Sequence, residues 1–195
     1  MIAQAIAFVV DALASLFILA ALLRFWMQAM RAPARNPIAY FSMALTDFAV
    51  KPLRRVVPGL FRLDLASLLV AWIFEFVLQV LLLMLAGGAP FENPAVLSVV
   101  LFFAFVKLIR LSIYIFMGAI ILQAVLSWVS PYHPVAPFFD ALAGPFMKPV
   151  RKVIPPIGGV DITPVFVLIF LQLVLMLPVT WLEHTSGVML SRALL

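Results

Sequence analysis

The chain has 195 residues, of which 66% are hydrophobic and only 11% are charged. A soluble domain has about half and about a quarter, respectively, so the composition argues against a soluble globular protein. The net charge of +5 is too small to indicate nucleic-acid binding, and the lack of cysteine excludes disulfides and thiolate metal sites. We therefore expect an integral membrane protein.

Four apolar stretches are long enough to cross a bilayer core of about 30 Å. They cover residues 2–25, 66–86, 109–129 and 163–183. The first lacks a basic start and contains Asp11, so we interpret it as a spanning helix of the mature chain rather than a signal peptide. The predicted fold class is all-α: a polytopic membrane protein with four transmembrane helices and short amphipathic interfacial helices.

The third apolar stretch is too long for a single crossing. Residues 96–129 would form a helix of about 50 Å, and Lys107 and Arg110 interrupt the apolar pattern. We therefore expect an interfacial or steeply tilted helix over 95–108, whose basic residues reach outward, and the crossing itself over 109–129.

Ten of the thirteen basic residues lie at or between the first two spans, or between the last two. They are Arg24, Arg31, Arg35, Lys51, Arg54, Arg55, Arg62, Lys148, Arg151 and Lys152. The positive-inside rule places the two linking segments in the cytoplasm and both termini on the other side of the membrane.

The two basic segments are copies of one pattern. Shifting the sequence by 97 residues superimposes KPLRRVVPGLFRLD (51–64) on KPVRKVIPPIGGVD (148–161). The chain therefore divides into two repeats, 1–94 and 95–195, each consisting of a helix, a basic proline-rich segment and a second helix. Each repeat crosses twice, so the two are expected to be parallel and related by a pseudo-twofold axis along the membrane normal.

Each linking segment is expected to form a short amphipathic helix at the interface. Asn36 and Pro37 are typical of a helix cap and its first position. Apolar residues recur at helical spacing in both copies: Ile38, Phe41, Leu45 and Phe48 in the first, and Val135, Phe138 and Leu142 in the second. We expect these helices to end before Pro52 in the first copy and before Pro145 and Pro149 in the second, because proline removes a helix donor.

The basic motif supplies candidate contacts to anionic head groups. Its cations are Lys51, Arg54, Arg55, Lys148, Arg151 and Lys152, and each is worth about 1 kcal/mol near a membrane surface. A specific lipid or protein-partner site is the alternative. The remaining motif positions are prolines and caps: Asn36, Pro37, Pro52, Pro58, Asp64, Pro134, Pro149, Pro155 and Asp161. We interpret Asp64 and Asp161 as caps of the second and fourth spans rather than as catalytic groups.

Four polar side chains lie inside the predicted spans: Asp11, Glu75, Gln79 and Gln172. Glu75 and Gln172 correspond under the repeat, so we expect them to meet at the pseudo-twofold axis. There they would form a polar clamp between helices, or a proton or cation path. Asp11 is expected to pair with Lys107 or Arg110.

No pattern of catalytic or cofactor-binding residues emerges. His133 and His184 are predicted on opposite faces, and neither lies at ligand spacing from other metal-binding side chains. No Ser–His–acid triad and no phosphate-binding glycine loop is evident. We therefore expect neither a metal, a haem or another cofactor nor enzymatic activity.

Both repeats share an NP or HP start, a basic K-P-x-R-[RK]-x-x-P core and a closing Asp. They follow LLRFWMQAMRAPAR in the first copy and AVLSWVSPY in the second, and together they resemble the YggT family. The resemblance implies a multi-pass protein of the bacterial inner membrane; combined with the positive-inside rule, this predicts periplasmic termini and cytoplasmic basic loops. It also implies links to osmotic-stress tolerance and, in plastid relatives, to cytochrome b6 haem maturation and nucleoid organisation, but no chemical activity.

Two functions are compatible with these features. The first is a non-enzymatic scaffold or assembly or stress-tolerance factor, whose basic segments engage anionic lipid, a membrane-protein partner or a second copy of the chain, without nucleic acid. The second is a small ion transporter or channel with a polar axis at Glu75 and Gln172, linked to osmotic adaptation. Four helices leave little lumen, so transport would require an oligomer.

Overall fold

A computed structural model describes residues 1–57, 59, 63–130, 132–154 and 161–193. The helices are α1 (Ile2–Ala29), α2 (Pro37–Val56), α3 (Leu65–Leu85), α4 (Pro94–Val129), α5 (Ala136–Arg151), α6 (Thr163–Val174) and α7 (Thr180–Ala193), with a π-helical turn (Leu175–Val179) between the last two. Arg62, Pro58 and Pro155 lie outside the described residues.

Four helical runs are long and apolar enough to cross a membrane: Ile2–Ala29, Leu65–Leu85, Pro94–Val129 and Thr163–Ala193. This confirms the predicted all-helical, polytopic class. The fourth run continues ten residues beyond the predicted span, because the π-helical turn joins α6 to α7 without ending the helix.

The third span is one uninterrupted helix of 36 residues, so the predicted separation of 95–108 from 109–129 is wrong. Its two mid-helix cations have partners within the structure. Arg110 forms an ion pair with Glu183 of α7, and Lys107 Nζ lies 5.3 Å from the centre of the Phe103 ring. Because the bundle supplies a counter-charge for Arg110, the helix need not break to bring that cation to the interface.

The helices pack as two groups that share α4. In the first half α1 packs against α2 and α3, and in the second half α4 packs against α5, α6 and α7. Both α1 and α3 also contact α4. Two indoles join the halves: Trp26 Nε1 donates to Ser112 Oγ at 3.0 Å, and Trp72 Nε1 donates to the Leu101 carbonyl at 3.1 Å. These tryptophans therefore hold α4 against the first half.

The linking helices continue through their prolines, contrary to the sequence prediction. Pro52 lies inside α2, and Pro145 and Pro149 lie inside α5. All three rings are on exposed positions. Each proline removes one backbone donor, but packing of the opposite helix face supplies enough stability for the helix to continue.

Equivalent positions of α2 and α5 lie in different surroundings. Phe138 is 2% exposed and belongs to a cluster that includes Met27 and Ala39 of the first half, whereas the corresponding Phe41 is 54% exposed. The apolar face of α5 therefore contributes to a cluster of buried side chains that come from both halves of the protein. In α2 the inward side chains are Ala39, Ser42, Thr46 and Val50, which leaves Phe41 and Phe48 on the outer surface.

Candidate functional site: the linker end of the bundle

Four crossings bring both linking segments to the same side of the membrane. We call this the linker end; it comprises the described residues of 30–64 and 130–162 together with the helix termini that they join. Most of the basic residues that the sequence analysis singled out lie here, and their contacts decide what this end of the protein can bind.

In the first half, the motif arginine is bound to the aspartate that caps the next spanning helix. Asp64 Oδ1 accepts from the Ser67 backbone N–H at 3.3 Å, and Ser67 Oγ donates to Asp64 Oδ2 at 2.6 Å. Arg54 forms an ion pair with the same carboxylate, which is 2% exposed. The capping role predicted for Asp64 is confirmed.

The second half repeats this pair at positions 97 residues further on. Arg151 Nη2 lies 2.8 Å from Asp161 Oδ2, and Asp161 Oδ1 accepts from the Thr163 backbone N–H at 2.9 Å. Burial raises the pKa of Asp161, but hydrogen bonds from Thr163 and the charge of Arg151 outweigh it, so the pKa is lowered. In both halves an Arg–Asp pair therefore ties the end of a linking helix to the start of a spanning helix.

The first half adds a buried arginine to this pair. Arg24 is 7% exposed; its Nη1 donates to Asp47 Oδ1 at 2.6 Å and to Thr46 Oγ1 at 3.2 Å. Its Nε lies 3.6 Å from Asp64 Oδ2. Lys51 Nζ contacts Asp47 at 2.7 Å, and this hydrogen bond, followed by Arg24, lowers the pKa of Asp47 despite burial. Sequence reasoning missed this network, although the i,i+4 spacing of Asp47 and Lys51 was a visible signal.

The second half has neither the buried arginine nor its acidic partner. Ile121 stands at the position equivalent to Arg24, and Gly144 at the position equivalent to Asp47. The helix start differs as well. Asn36 Oδ1 accepts from the Ala39 backbone N–H at 3.0 Å, as predicted, whereas α5 begins at Ala136 without a side-chain cap, so Pro134 precedes the helix.

The remaining described cations at the linker end are exposed and make no ion pair with any described residue. They are Arg31, Arg35, Arg55, Lys148 and Lys152. The predicted basic motif therefore has two parts. Lys51, Arg54 and Arg151 form ion pairs within the protein, whereas Arg55, Lys148 and Lys152 are exposed and make none with described residues.

The polar groups within the spans are arranged differently from the prediction. Glu75 is buried and accepts from Gln79 Nε2 at 2.7 Å. Gln172 is exposed on α6, which does not pack against α3 in the described structure. The expected meeting of Glu75 with Gln172 is therefore wrong, because α4 lies between their helices.

The predicted pairing of Asp11 with Lys107 or Arg110 is also wrong, since Asp11 forms an ion pair with neither. Asp11 is exposed, and Arg110 donates to Glu183 and to Thr180 Oγ1, the latter at 3.2 Å. Thr180 Oγ1 in turn donates to the Leu175 carbonyl at 2.8 Å, which supports the π-helical turn around Pro178. The sequence did not predict Glu183 as a partner, because it lies at the end of the predicted span, where a carboxylate is typical of an interfacial group.

Metal chemistry has no evident ligand set here. Within the described ranges, no group of three or more His, Cys, Asp or Glu side chains could hold a metal ion. His133 Nδ1 accepts from the Val135 backbone N–H at 3.4 Å and so acts locally at the start of α5.

These features define a multi-pass helical membrane protein with an Arg–Asp pair before two of its spans. The CCB3/YggT family model matches residues 3–85 and 102–182, and the chain belongs to this family. It is 34% identical to an uncharacterized protein of Pseudomonas aeruginosa over 182 residues, which are 92% of this chain and 91% of that protein. It is 31% identical to the uncharacterized protein YggT of Escherichia coli K12 over 184 residues, 94% of each chain. No solved structure matches it.

Proposed function

We propose that the protein is a non-enzymatic scaffold or assembly or stress-tolerance factor of the bacterial inner membrane. Its linker end faces the cytoplasm and holds anionic lipid head groups around the bundle. The observation that carries this proposal is that the motif cations Arg55, Lys148 and Lys152 are exposed at one end of the protein and make no ion pair with described residues.

The geometry assigns separate roles to adjacent motif residues. Arg54 and Arg151 fix the linking helices to the spanning helices. Arg55, Lys148 and Lys152 are then held at the surface, where each contributes about 1 kcal/mol of attraction to an anionic leaflet. Exposed Phe41 and Phe48 add apolar area on the outer side of α2, which favours a position in the head-group region.

Transport is the less favoured function. The predicted polar axis needed Glu75 and Gln172 in contact, and Gln172 instead lies on the outer surface of α6. Ion flux in proteoliposomes that is abolished by Glu75→Gln would restore the transport hypothesis.

The proposed lipid contact is tested by replacing Arg55, Lys148 and Lys152 together with Gln. Protein in nanodiscs of mixed phosphatidylglycerol and phosphatidylcholine is analysed by native mass spectrometry for the lipids it retains. We expect the wild type to retain phosphatidylglycerol preferentially and the triple variant to lose most of that preference. Arg192→Gln, which removes an exposed charge at the other end of the bundle, serves as the control. An unchanged preference in the triple variant contradicts the proposal.

A protein partner is the alternative occupant of this surface. A photo-crosslinker at Lys148, which is exposed, distinguishes the two in cells. Cross-links to a single membrane protein would indicate partner binding, whereas cross-links confined to phospholipid support the proposed lipid contact.

A further inference from the structure

We propose that the first half of the protein contains a binding site for one phosphate group, carried either by a lipid head group or by a free anion. The site is a cavity of about 360 Å³ between the end of α1, α2 and the start of α3. Its polar lining consists of Arg24, Gln28, Arg31, Arg54 and Asp64.

The charge of the lining favours an anion. Three guanidinium groups and one carboxylate line the cavity, which leaves an excess of two positive charges. Guanidinium groups bind phosphate oxygens through paired N–H donors, and they lose less hydration than an ammonium group does. The cavity therefore matches the charge and the donor geometry that a phosphate group requires.

Two of the arginines are held in place before any ligand binds. Arg24 is 7% exposed and is fixed by Asp47 and Thr46. Arg54 is fixed by Asp64. A ligand that enters this cavity does not have to order these side chains, and such preorganisation favours binding.

The third arginine is held in a strained backbone conformation. Arg31 follows the end of α1 with φ of 54°. The Arg31 N–H donates to the Gln28 carbonyl at 3.2 Å and the Ala32 N–H donates to the Met27 carbonyl at 2.8 Å. This is a helix-terminating motif in which glycine is the usual left-handed residue, and a side chain there costs about 1 kcal/mol. Strain of this kind is typical of binding sites.

The strained arginine has its charge available. Arg31 makes no ion pair with any described residue, whereas Arg24 and Arg54, which line the same cavity, both do. An arginine in place of glycine at this turn is therefore explained by a ligand that needs its guanidinium group.

The second half has no equivalent cavity lining. Ile121 and Trp128 occupy the positions that correspond to Arg24 and Arg31, so the site belongs to the first half alone. It goes beyond the proposed function, because Arg55, Lys148 and Lys152 contact the membrane surface without lining this cavity.

The test uses delipidated full-length protein in detergent. Its melting temperature is measured against inorganic phosphate, dihexanoyl phosphatidylglycerol below its micellar concentration, and sodium chloride at matched ionic strength. We expect at least one phosphate probe to give a saturable rise beyond that of chloride. A rise with both indicates that the phosphate group alone suffices, and a rise with the lipid alone identifies a head-group site.

Arg31→Gly is the decisive variant, because it removes the guanidinium group and relieves the strained turn. We expect about tenfold weaker binding of the effective probe with no loss of melting temperature in its absence. Arg35→Gly, which removes an exposed charge outside the cavity, should bind as the wild type does. The triple variant at Arg55, Lys148 and Lys152 should keep the saturable rise in melting temperature, because none of these side chains lines the cavity, even though it is expected to lose its preference for phosphatidylglycerol in nanodiscs. Equal binding by Arg31→Gly and wild type, or no effect of either probe beyond chloride, overturns the proposal.

Discussion

The two linking segments share one ion pair and differ in almost everything around it. Arg54–Asp64 and Arg151–Asp161 occupy equivalent positions and join equivalent helices. In the first segment the pair is part of a buried network with Arg24, whose equivalent in the second is Ile121. The Arg–Asp pair is therefore the feature that both halves share, and the buried network around Arg24 is an addition in the first half.

The added network coincides with a change in what each linking helix buries. Ser42 and Thr46 point inward from α2, and their equivalents on α5 are Phe139 and Ala143. The second segment therefore adheres to the bundle through apolar packing, whereas the first depends on charges and hydrogen bonds. We expect the first segment to be more sensitive to loss of a single charge.

The largest difference in the free energy of unfolding is expected between variants of the two capping aspartates. Asp64→Ala leaves Arg24 buried without part of its counter-charge and should cost about 3–5 kcal/mol of the free energy of unfolding. Asp161→Ala removes a hydrogen bond at an accessible helix start and should cost about 1 kcal/mol. Unfolding in mixed micelles, followed by circular dichroism against added sodium dodecyl sulfate, measures both. Equal losses would show that the Arg24 network adds no stability.

The next largest loss of stability is expected on removal of the ion pair that stabilises the middle of α4. Glu183→Leu removes the acceptor of Arg110 and should cost about 1.5–3 kcal/mol. Asp11→Asn is the matched change on an exposed acid and should alter stability by less than about 0.5 kcal/mol. The same unfolding assay measures both variants. A larger loss with Asp11→Asn than with Glu183→Leu would indicate that Asp11, and not Glu183, is the partner of Arg110.

A smaller effect is expected at the contact between the halves. Trp26→Phe keeps an aromatic ring beside Phe116 but removes the hydrogen bond to Ser112, so it should cost about 1 kcal/mol. Trp128→Phe changes an indole that is 68% exposed and should have little effect. Identical results for the two would mean that the indole donor does not hold the halves together.

The smallest expected effect is a dependence of the free energy of unfolding on acidic pH. The pKa values of Asp47 and Asp161 are lowered in the folded protein. Their contribution to stability is therefore complete above about pH 4, the unfolded value, and is lost as the pH falls through the lower folded value. Asp47→Asn should make the loss of stability as the pH falls below about 4 shallower than in the wild type. An unchanged slope would exclude a contribution from Asp47.

Much of the fold follows from the sequence because the membrane imposes simple rules. The number of apolar spans, the Asn36 cap and the capping role of Asp64 depend on local composition and spacing. The continuity of α4 does not, since it depends on Glu183, which is 73 residues away from Arg110 in the chain.

The candidate site was harder to predict for a related reason. The sequence repeat correctly identified Arg54 and Arg151 as equivalent motif residues. Composition and charge alone do not distinguish them from the neighbouring cations that make no ion pair. Only the distances to Asp64 and Asp161 distinguish a bound arginine from an outward-facing one. The positive φ of Arg31 has no sequence signal at all, because glycine is the residue that normally marks such a turn.

The central claim is that neighbouring cations of the motif have different tasks, and Arg151 and Lys152 test it most directly. Arg151→Gln and Lys152→Gln make the same change of charge at adjacent positions. We predict that Arg151→Gln lowers stability by about 0.5–1 kcal/mol with an unchanged preference for phosphatidylglycerol. Lys152→Gln should leave stability unchanged and weaken that preference about fivefold. The account is contradicted if the two variants lower stability equally or reduce the lipid preference equally.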